Sequence, residues 1–205
     1  ELDKYINVNI EGTACMLEVL ENSDHNIQKI VVASSRAIYG EGKYLCPIHA
    51  DIYPSARKKS DMRNGDFNLK CDICESDLEL VATDEGSKIH PTSIYGITKQ
   101  EQEKMVMSTG KLLGIPSVAF RYQNVYGPGQ SLSNPYTGIF SIFSTRILNH
   151  NDLNIYEDGL ESRDFIYIDD VVDATILGIE KEEANGQIFN VGSGTTTTVK
   201  EVAEI

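Results

Sequence analysis

Tyr95 and Lys99 stand four residues apart in the stretch Pro91-Thr-Ser-Ile-Tyr95-Gly-Ile-Thr-Lys99-Gln-Glu-Gln-Glu103. The stretch opens with Pro and a Thr-Ser pair, the chemistry of a helix start, and then runs on without further Pro. On a helix the four-residue spacing puts the phenol and the ammonium on one face, a turn apart. Such a pair is an acid/base device. The positive charge favours the phenolate and draws tyrosine down from its ordinary pKa of about 10, toward use as a proton acceptor near neutral pH. The same spacing also arises by chance on solvated helices, so the pair needs partners elsewhere in the chain.

The elements that must position it alternate. Residues 2–20 have helical apolar spacing, with Asn9 in the middle, either solvated or a polar group needed inside. Residues 27–33 form a short β-branched run typical of a buried parallel strand, ending in Ser34 and Ser35. Hydroxyls at that end of a parallel strand either contact a ligand or cap the next segment. Residues 93–113 are the helix of Tyr95 and Lys99, closed by Gly114, and 116–122 are a second buried strand. Arg121, Tyr122 and Asn124 emerge at its carboxyl end. Two strand–loop–helix units in succession predict an α/β fold with part of a doubly wound parallel sheet.

Between them, residues 42–90 lose apolar periodicity. This insertion carries Cys46-Pro-Ile-His49 and Cys71-Asp-Ile-Cys74, two pairs with the spacing of a closed structural zinc site. The alternative is an irregular loop with free thiols. Cys15 reads as a small buried hydrophobe. A turn-rich segment at 131–136 marks a boundary. After it come a helix at 137–148, strands at 153–156 and 164–168, and a helix from 171 to 179 capped by Asp169 or Asp170. A last strand at 187–191 is followed by the start of another helix. The expected domains are 1–133, with the insertion 42–90, and 134–205.

The chain has 205 residues and a formal charge of −13. Apart from Arg57-Lys58-Lys59 it has no basic tract, which argues against a nucleic-acid backbone binder but not against a small phosphorylated ligand. No apolar run reaches membrane-spanning length, and no secretion signal is present, so a cytoplasmic location is expected. With no initiator Met, the chain reads as a piece of a longer protein.

In combination the motifs resemble the extended short-chain dehydrogenase/reductase family, in particular its nucleotide-sugar epimerases and dehydratases. Their order is Asn9-Ile-Glu-Gly12-Thr13, Ser34-Ser35-Arg-Ala-Ile-Tyr39-Gly40, Tyr95-x-x-x-Lys99, Arg121-Tyr-Gln-Asn124-Val-Tyr126-Gly127-Pro128 and Arg163-Asp164-Phe165-Ile-Tyr-Ile-Asp169-Asp170. The resemblance implies a Rossmann-type fold with part of a smaller α/β substrate-binding region, bound NAD and a nucleotide-sugar substrate. Tyr95, Lys99 and Ser35 are then catalytic, with Tyr95 taking the proton of a sugar hydroxyl as that carbon gives a hydride to NAD. Ser34 and Tyr122 join Tyr95 and Lys99 around the cofactor, while Ser35, Asn124 and Arg163 hold the substrate.

Dehydratases of the family usually show Thr-Asp-Glu where this chain has Ser35-Arg36-Ala37. That favours a 4-epimerase over a dehydratase. A reductase or decarboxylase on the same scaffold, or a zinc-ribbon sugar-binding module without chemistry, are the alternatives. The insertion resembles that of bacterial dTDP-L-rhamnose 4-epimerase-like members, with Cys46, His49, Cys71 and Cys74 as the metal set. Homodimers formed through the helices at 2–20 and 93–113 are common in the family. The Gly-rich turn that seats the NAD pyrophosphate is not among these residues, so they are expected not to hold NAD tightly or to be active by themselves.

Overall fold

The computed structural model describes residues 2–132 and 138–205. The chain opens with one helical run in three pieces: α1 (Leu2–Tyr5), a π-helical turn (Ile6–Glu11) and α2 (Gly12–Asn22). In the π turn the Gly12 N–H reaches the Asn7 carbonyl, five residues back. β1 (Ile30–Ser35) ends in a 3-10 turn (Arg36–Tyr39), where the Ser35 hydroxyl accepts from the Ala37 N–H at 3.2 Å. The insertion folds as β2 (Tyr44–Cys46), β3 (Ala50–Ile52), α3 (Lys59–Arg63) and β4 (Glu79–Leu80). Its strands make a small antiparallel sheet in the order β3-β2-β4.

α4 (Ile94–Leu113) starts where the sequence places it, because the Ser93 hydroxyl caps the Gly96 N–H at 3.0 Å. It stops at Gly114, whose left-handed φ of 71° disfavours any residue with a Cβ. β5 (Ser117–Tyr122) and β6 (Asn124–Tyr126) follow, then α5 (Ile139–Leu148), β7 (Ser162–Arg163), β8 (Phe165–Tyr167) and α6 (Ile168–Glu180). β9 (Ile188–Val191), β10 (Thr197–Thr198) and α7 (Val199–Glu204) complete the described chain, α7 opening with a Thr198/Glu201 capping box.

The central sheet is parallel, in the order β1-β5-β9. Ser35 pairs with Tyr122 and Tyr122 with Val191, so the three strands finish level with one another. Successive strand residues face opposite ways, and β5 separates them into two cores. On one face Ala119 packs with Leu17 of α2, Val32 and Val106 of α4. On the other, Val118 and Phe120 pack with Ile166, Val171 of α6 and Val191. Helices therefore cover both faces of a parallel sheet, the doubly wound arrangement the sequence predicts.

The second half departs from expectation in two places. Residues 153–156 form no strand: Ile155 and Tyr156 are exposed, and among the described residues no strand pairs with them. α6 begins at Ile168, three residues early, with Tyr167 at the cap and Asp169 and Asp170 inside its first turn. Carboxylates are favourable there through the helix dipole, so the same residues serve a helix start without capping it. The expected boundary at 133/134 and Thr137 lie outside the described residues.

Candidate active site

The head of α4 meets the turn that leaves β1. A Cβ on Gly96 would lie 2.5 Å from the Ala37 carbonyl oxygen, so glycine beside Tyr95 permits this approach. The residue after Ser35 and the residues before Tyr95 then line one cleft of about 740 Å³, through Arg36, Ala37, Thr92 and Ser93. Arg163 enters the same cleft from β7, and Tyr44 and Arg57 enter it from the insertion. The cleft thus lies beyond the carboxyl end of β1, where open α/β sheets bind ligands.

Tyr95 is 37% exposed, and its ring meets Tyr5 edge-on at 5.5 Å. Lys99 is buried, and its ammonium donates to Gln102 Oε1, whose amide donates in turn to Thr13 Oγ1 at 2.8 Å. Burial holds the Lys99 pKa below the ordinary lysine value. Asn9, from the π turn, donates to Thr98 Oγ1 at 3.0 Å, and Thr98 donates to the Tyr95 carbonyl at 2.9 Å. The mid-helix Asn is therefore a polar group used inside, bracing the turn of α4 between Tyr95 and Lys99. A π turn at such a place is common near functional sites.

Ser35 and Ser34 point apart, as neighbours on a strand must. The Ser35 hydroxyl caps the turn at the cleft, whereas Ser34 is buried and donates to Glu103 Oε2 at 2.5 Å. Glu103 also takes a two-pronged hydrogen bond from Arg121, at 2.6 and 3.1 Å, and Arg121 reaches Tyr39 Oη at 2.6 Å. The Tyr39 hydroxyl donates to Asn190 at 2.9 Å. This sealed network ties β1, α4, β5 and β9 together. Glu103 was missed in the sequence, although Tyr95, Lys99 and Glu103 form one stripe at spacing four.

Tyr122 turns toward α6, where its hydroxyl bonds Thr175 at 2.7 Å and its ring stacks on Phe120. Asn124 is half-buried on β6, its N–H bonded to the Asp164 carbonyl at 3.0 Å. Arg163 pairs with Glu161 and donates to the Ser162 carbonyl at 3.0 Å.

In the insertion, Cys46, His49, Cys71 and Cys74 converge, their ligand atoms within 4.8 Å of one another. Cys46 Sγ lies 3.6 Å from Cys74 Sγ and from His49 Nδ1, and Cys71 Sγ lies 3.6 Å from the same nitrogen. A zinc tetrahedron with arms of about 2.3 Å to sulfur and 2.0–2.1 Å to nitrogen has edges of about 3.5–3.8 Å. The donor set fits that ion. Hydrogen bonding with Ser76 pulls the Cys74 thiol down to about 6, and burial pushes the Cys71 thiol up. The hydrogen bond with Cys46 raises the His49 pKa.

A doubly wound parallel sheet with a Tyr/Lys helix beside its ligand-binding edge defines the α/β class of the chain. The chain belongs to the NAD dependent epimerase/dehydratase family, which matches residues 75–192. It is 33% identical to the dTDP-L-rhamnose 4-epimerase of Burkholderia thailandensis over all of this chain and 55% of that protein. Among solved structures it is similar to the UDP-glucose 4-epimerase of Thermotoga maritima with UDP-glucose. There the identity is 28% and the TM-score 0.75, over 100% of this chain and 53% of that one. It also shares its fold with the UDP-glucuronic acid 4-epimerase of Bacillus cereus, in complex with UDP-glucuronic acid and NAD. That likeness is 24% identical with a TM-score of 0.66, over 96% and 49% of the two chains. The chain spans about half the length of the curated relatives it matches. Among the described residues no helix is long and apolar enough to cross a membrane.

Proposed function

We propose that the protein containing this chain is an NAD-dependent nucleotide-sugar 4-epimerase acting on a dTDP- or UDP-linked hexose or deoxyhexose. One observation carries the reading. The helix with Tyr95 and Lys99 is packed, through Gly96, onto the turn that Ser35 caps, beside a cleft that Arg163 also lines. NAD, when bound, supplies the hydride acceptor and returns the hydride. The buried Lys99 ammonium and half-exposed Tyr95 suit its ribose and nicotinamide end, whereas Ser34 donates to Glu103 and Tyr122 bonds Thr175 of α6.

Tyr95 takes the proton of the sugar C4 hydroxyl and later gives it back, while Lys99 keeps positive charge near the phenolate. Ser35 holds the sugar oxygen, Asn124 positions the sugar, and Arg163 binds the diphosphate. Arg36 and Ala37 supply no carboxylate to eliminate water, which favours epimerisation over dehydration. Cys46, His49, Cys71 and Cys74 would hold a structural zinc ion, which would cross-link the insertion. Exposed Val8, Met16, Val19 and Leu112 on the first helical run and α4 support a homodimer through that face.

The test is Tyr95→Phe in the complete protein. Turnover of dTDP- or UDP-hexose falls by about 10²–10⁴ while bound NAD is retained. Undiminished turnover refutes the assignment, and net consumption of reduced cofactor or release of carbon dioxide replaces it with a reductase or decarboxylase.

A further inference from the structure

Three guanidinium groups, those of Arg36, Arg57 and Arg163, and three carboxylates, Glu41, Glu161 and Asp164, line the cleft. Arg57 pairs with Glu157 and Arg163 with Glu161, so two of the three guanidinium groups have carboxylates of their own. Arg36 has none. Among the described residues it forms no ion pair, and its hydrogen bond is a long one, 3.4 Å from Nη2 to the Gly40 carbonyl. It is half-buried, and burial lowers its pKa, with the charge of Arg163 adding to the effect. Glu41 and Glu161 pull the other way from beyond ion-pair distance. A half-buried guanidinium with no ion-pair partner, lining the same cleft as Arg163, is favoured by an anion bound there.

We propose that Arg36 is an anion-binding residue of this cleft, which with Arg163 seats a negatively charged group of the substrate, either a nucleotide diphosphate or a carboxylate on the sugar. The inference rests on the nucleotide-sugar reading of the cleft. Its geometry is local: Arg36 is the first residue of the turn that Ser35 caps, so the seat adjoins the hydroxyl assigned to the sugar oxygen. Tyr44 of the insertion borders the same space. The guanidinium fork matches the two oxygens of a phosphate or carboxylate, a task that lysine performs less well.

Calorimetric titration of the complete protein with inorganic pyrophosphate, UDP-glucose and UDP-glucuronate tests it, comparing wild type with Arg36→Gln. Losing a charged hydrogen-bonded partner weakens binding by about tenfold or more. A diphosphate seat shows that loss for all three probes; a carboxylate seat shows it for UDP-glucuronate alone. Equal affinities in wild type and variant for every probe overturn the proposal, as does a wild type that binds none of them. Should Arg36→Gln fail to fold, Arg36→Lys enters the same series, keeping the charge and losing the fork. Binding of pyrophosphate needs no turnover. The anion seat and the epimerase reading therefore fail separately: the first by unchanged affinity here, the second by undiminished turnover in Tyr95→Phe.

Discussion

Cys71→Ser in the complete protein separates a metal-held insertion from a loop with free thiols. Among the described residues between 42 and 90, no Leu, Ile, Val or Phe is buried; the sealed side chains are Cys46, Cys71 and Pro54. Three strands of three, three and two residues cannot hold themselves together without a core. Zinc binding in small structural sites is worth about 10–16 kcal/mol, far more than such a sheet could supply. Loss of a residue that merely supports a ligand already costs about 10–100-fold in metal affinity, so loss of the Cys71 thiolate costs more than about 100-fold. The unmutated protein is expected to carry near-stoichiometric zinc by elemental analysis, and the variant little. In hydrogen exchange, chelation strips protection from the amides of β2, β3 and β4 and leaves β1 and β5 as they were. Acid acts in the same direction: protons compete with the metal for the three thiolates and for His49, so zinc loading is expected to fall as the pH is lowered. A zinc-free unmutated protein, or chelation that leaves the exchange pattern unchanged, refutes the reasoning.

Two further outcomes follow from the core beneath the site. Glu103→Ala leaves the Arg121 guanidinium buried without its carboxylate and is expected to cost about 3–5 kcal/mol in urea unfolding; a loss under about 1 kcal/mol contradicts the network. Lys99→Met is expected to abolish turnover and yet to raise the unfolding midpoint at pH 7, because it removes a buried charge. The depressed folded-state pKa of Lys99 means its burial penalty is full below that pKa, fades as pH rises through it, and is gone above the unfolded value of about 10.5. The gap between variant and wild type in unfolding midpoint therefore shrinks in alkaline buffer; a gap that widens would contradict this.

The elements that carry the candidate site were legible where local chemistry and tertiary packing agree. Ser93 and Gly114 bound α4 because a hydroxyl cap and a left-handed glycine act without help from the rest of the chain. β1, β5 and β9 were legible as short apolar runs set between helical segments, β1 through its Ile-Val-Val and β5 through residues buried along nearly its whole length. The π turn at Ile6–Glu11 was not, since one extra residue per turn leaves no mark in apolar spacing over so short a stretch. Ser34 was grouped with Ser35, although strand alternation separates them: Ser34 shares its face with Val32 and Glu103, and Ser35 the opposite one. The strand expected at 153–156 had the residues but no partner, which sequence pattern cannot supply.

The insertion leaves and rejoins the sheet at nearly one point. The Lys43 N–H bonds Thr83 Oγ1 at 2.9 Å, and the Thr83 carbonyl and Glu85 carboxylate are gripped by Asn190 at 3.0 and 2.7 Å. A loop whose ends already touch pays little more in closure entropy for being long, because that cost grows only with the logarithm of length. The excursion between Lys43 and Thr83 is therefore a replaceable module on a fixed neck. A shorter or different excursion could be grafted there without moving Tyr95, Lys99 or Ser35. What such an exchange would alter is the wall that Tyr44 and Arg57 give the cleft, while the head of α4 stays where it is.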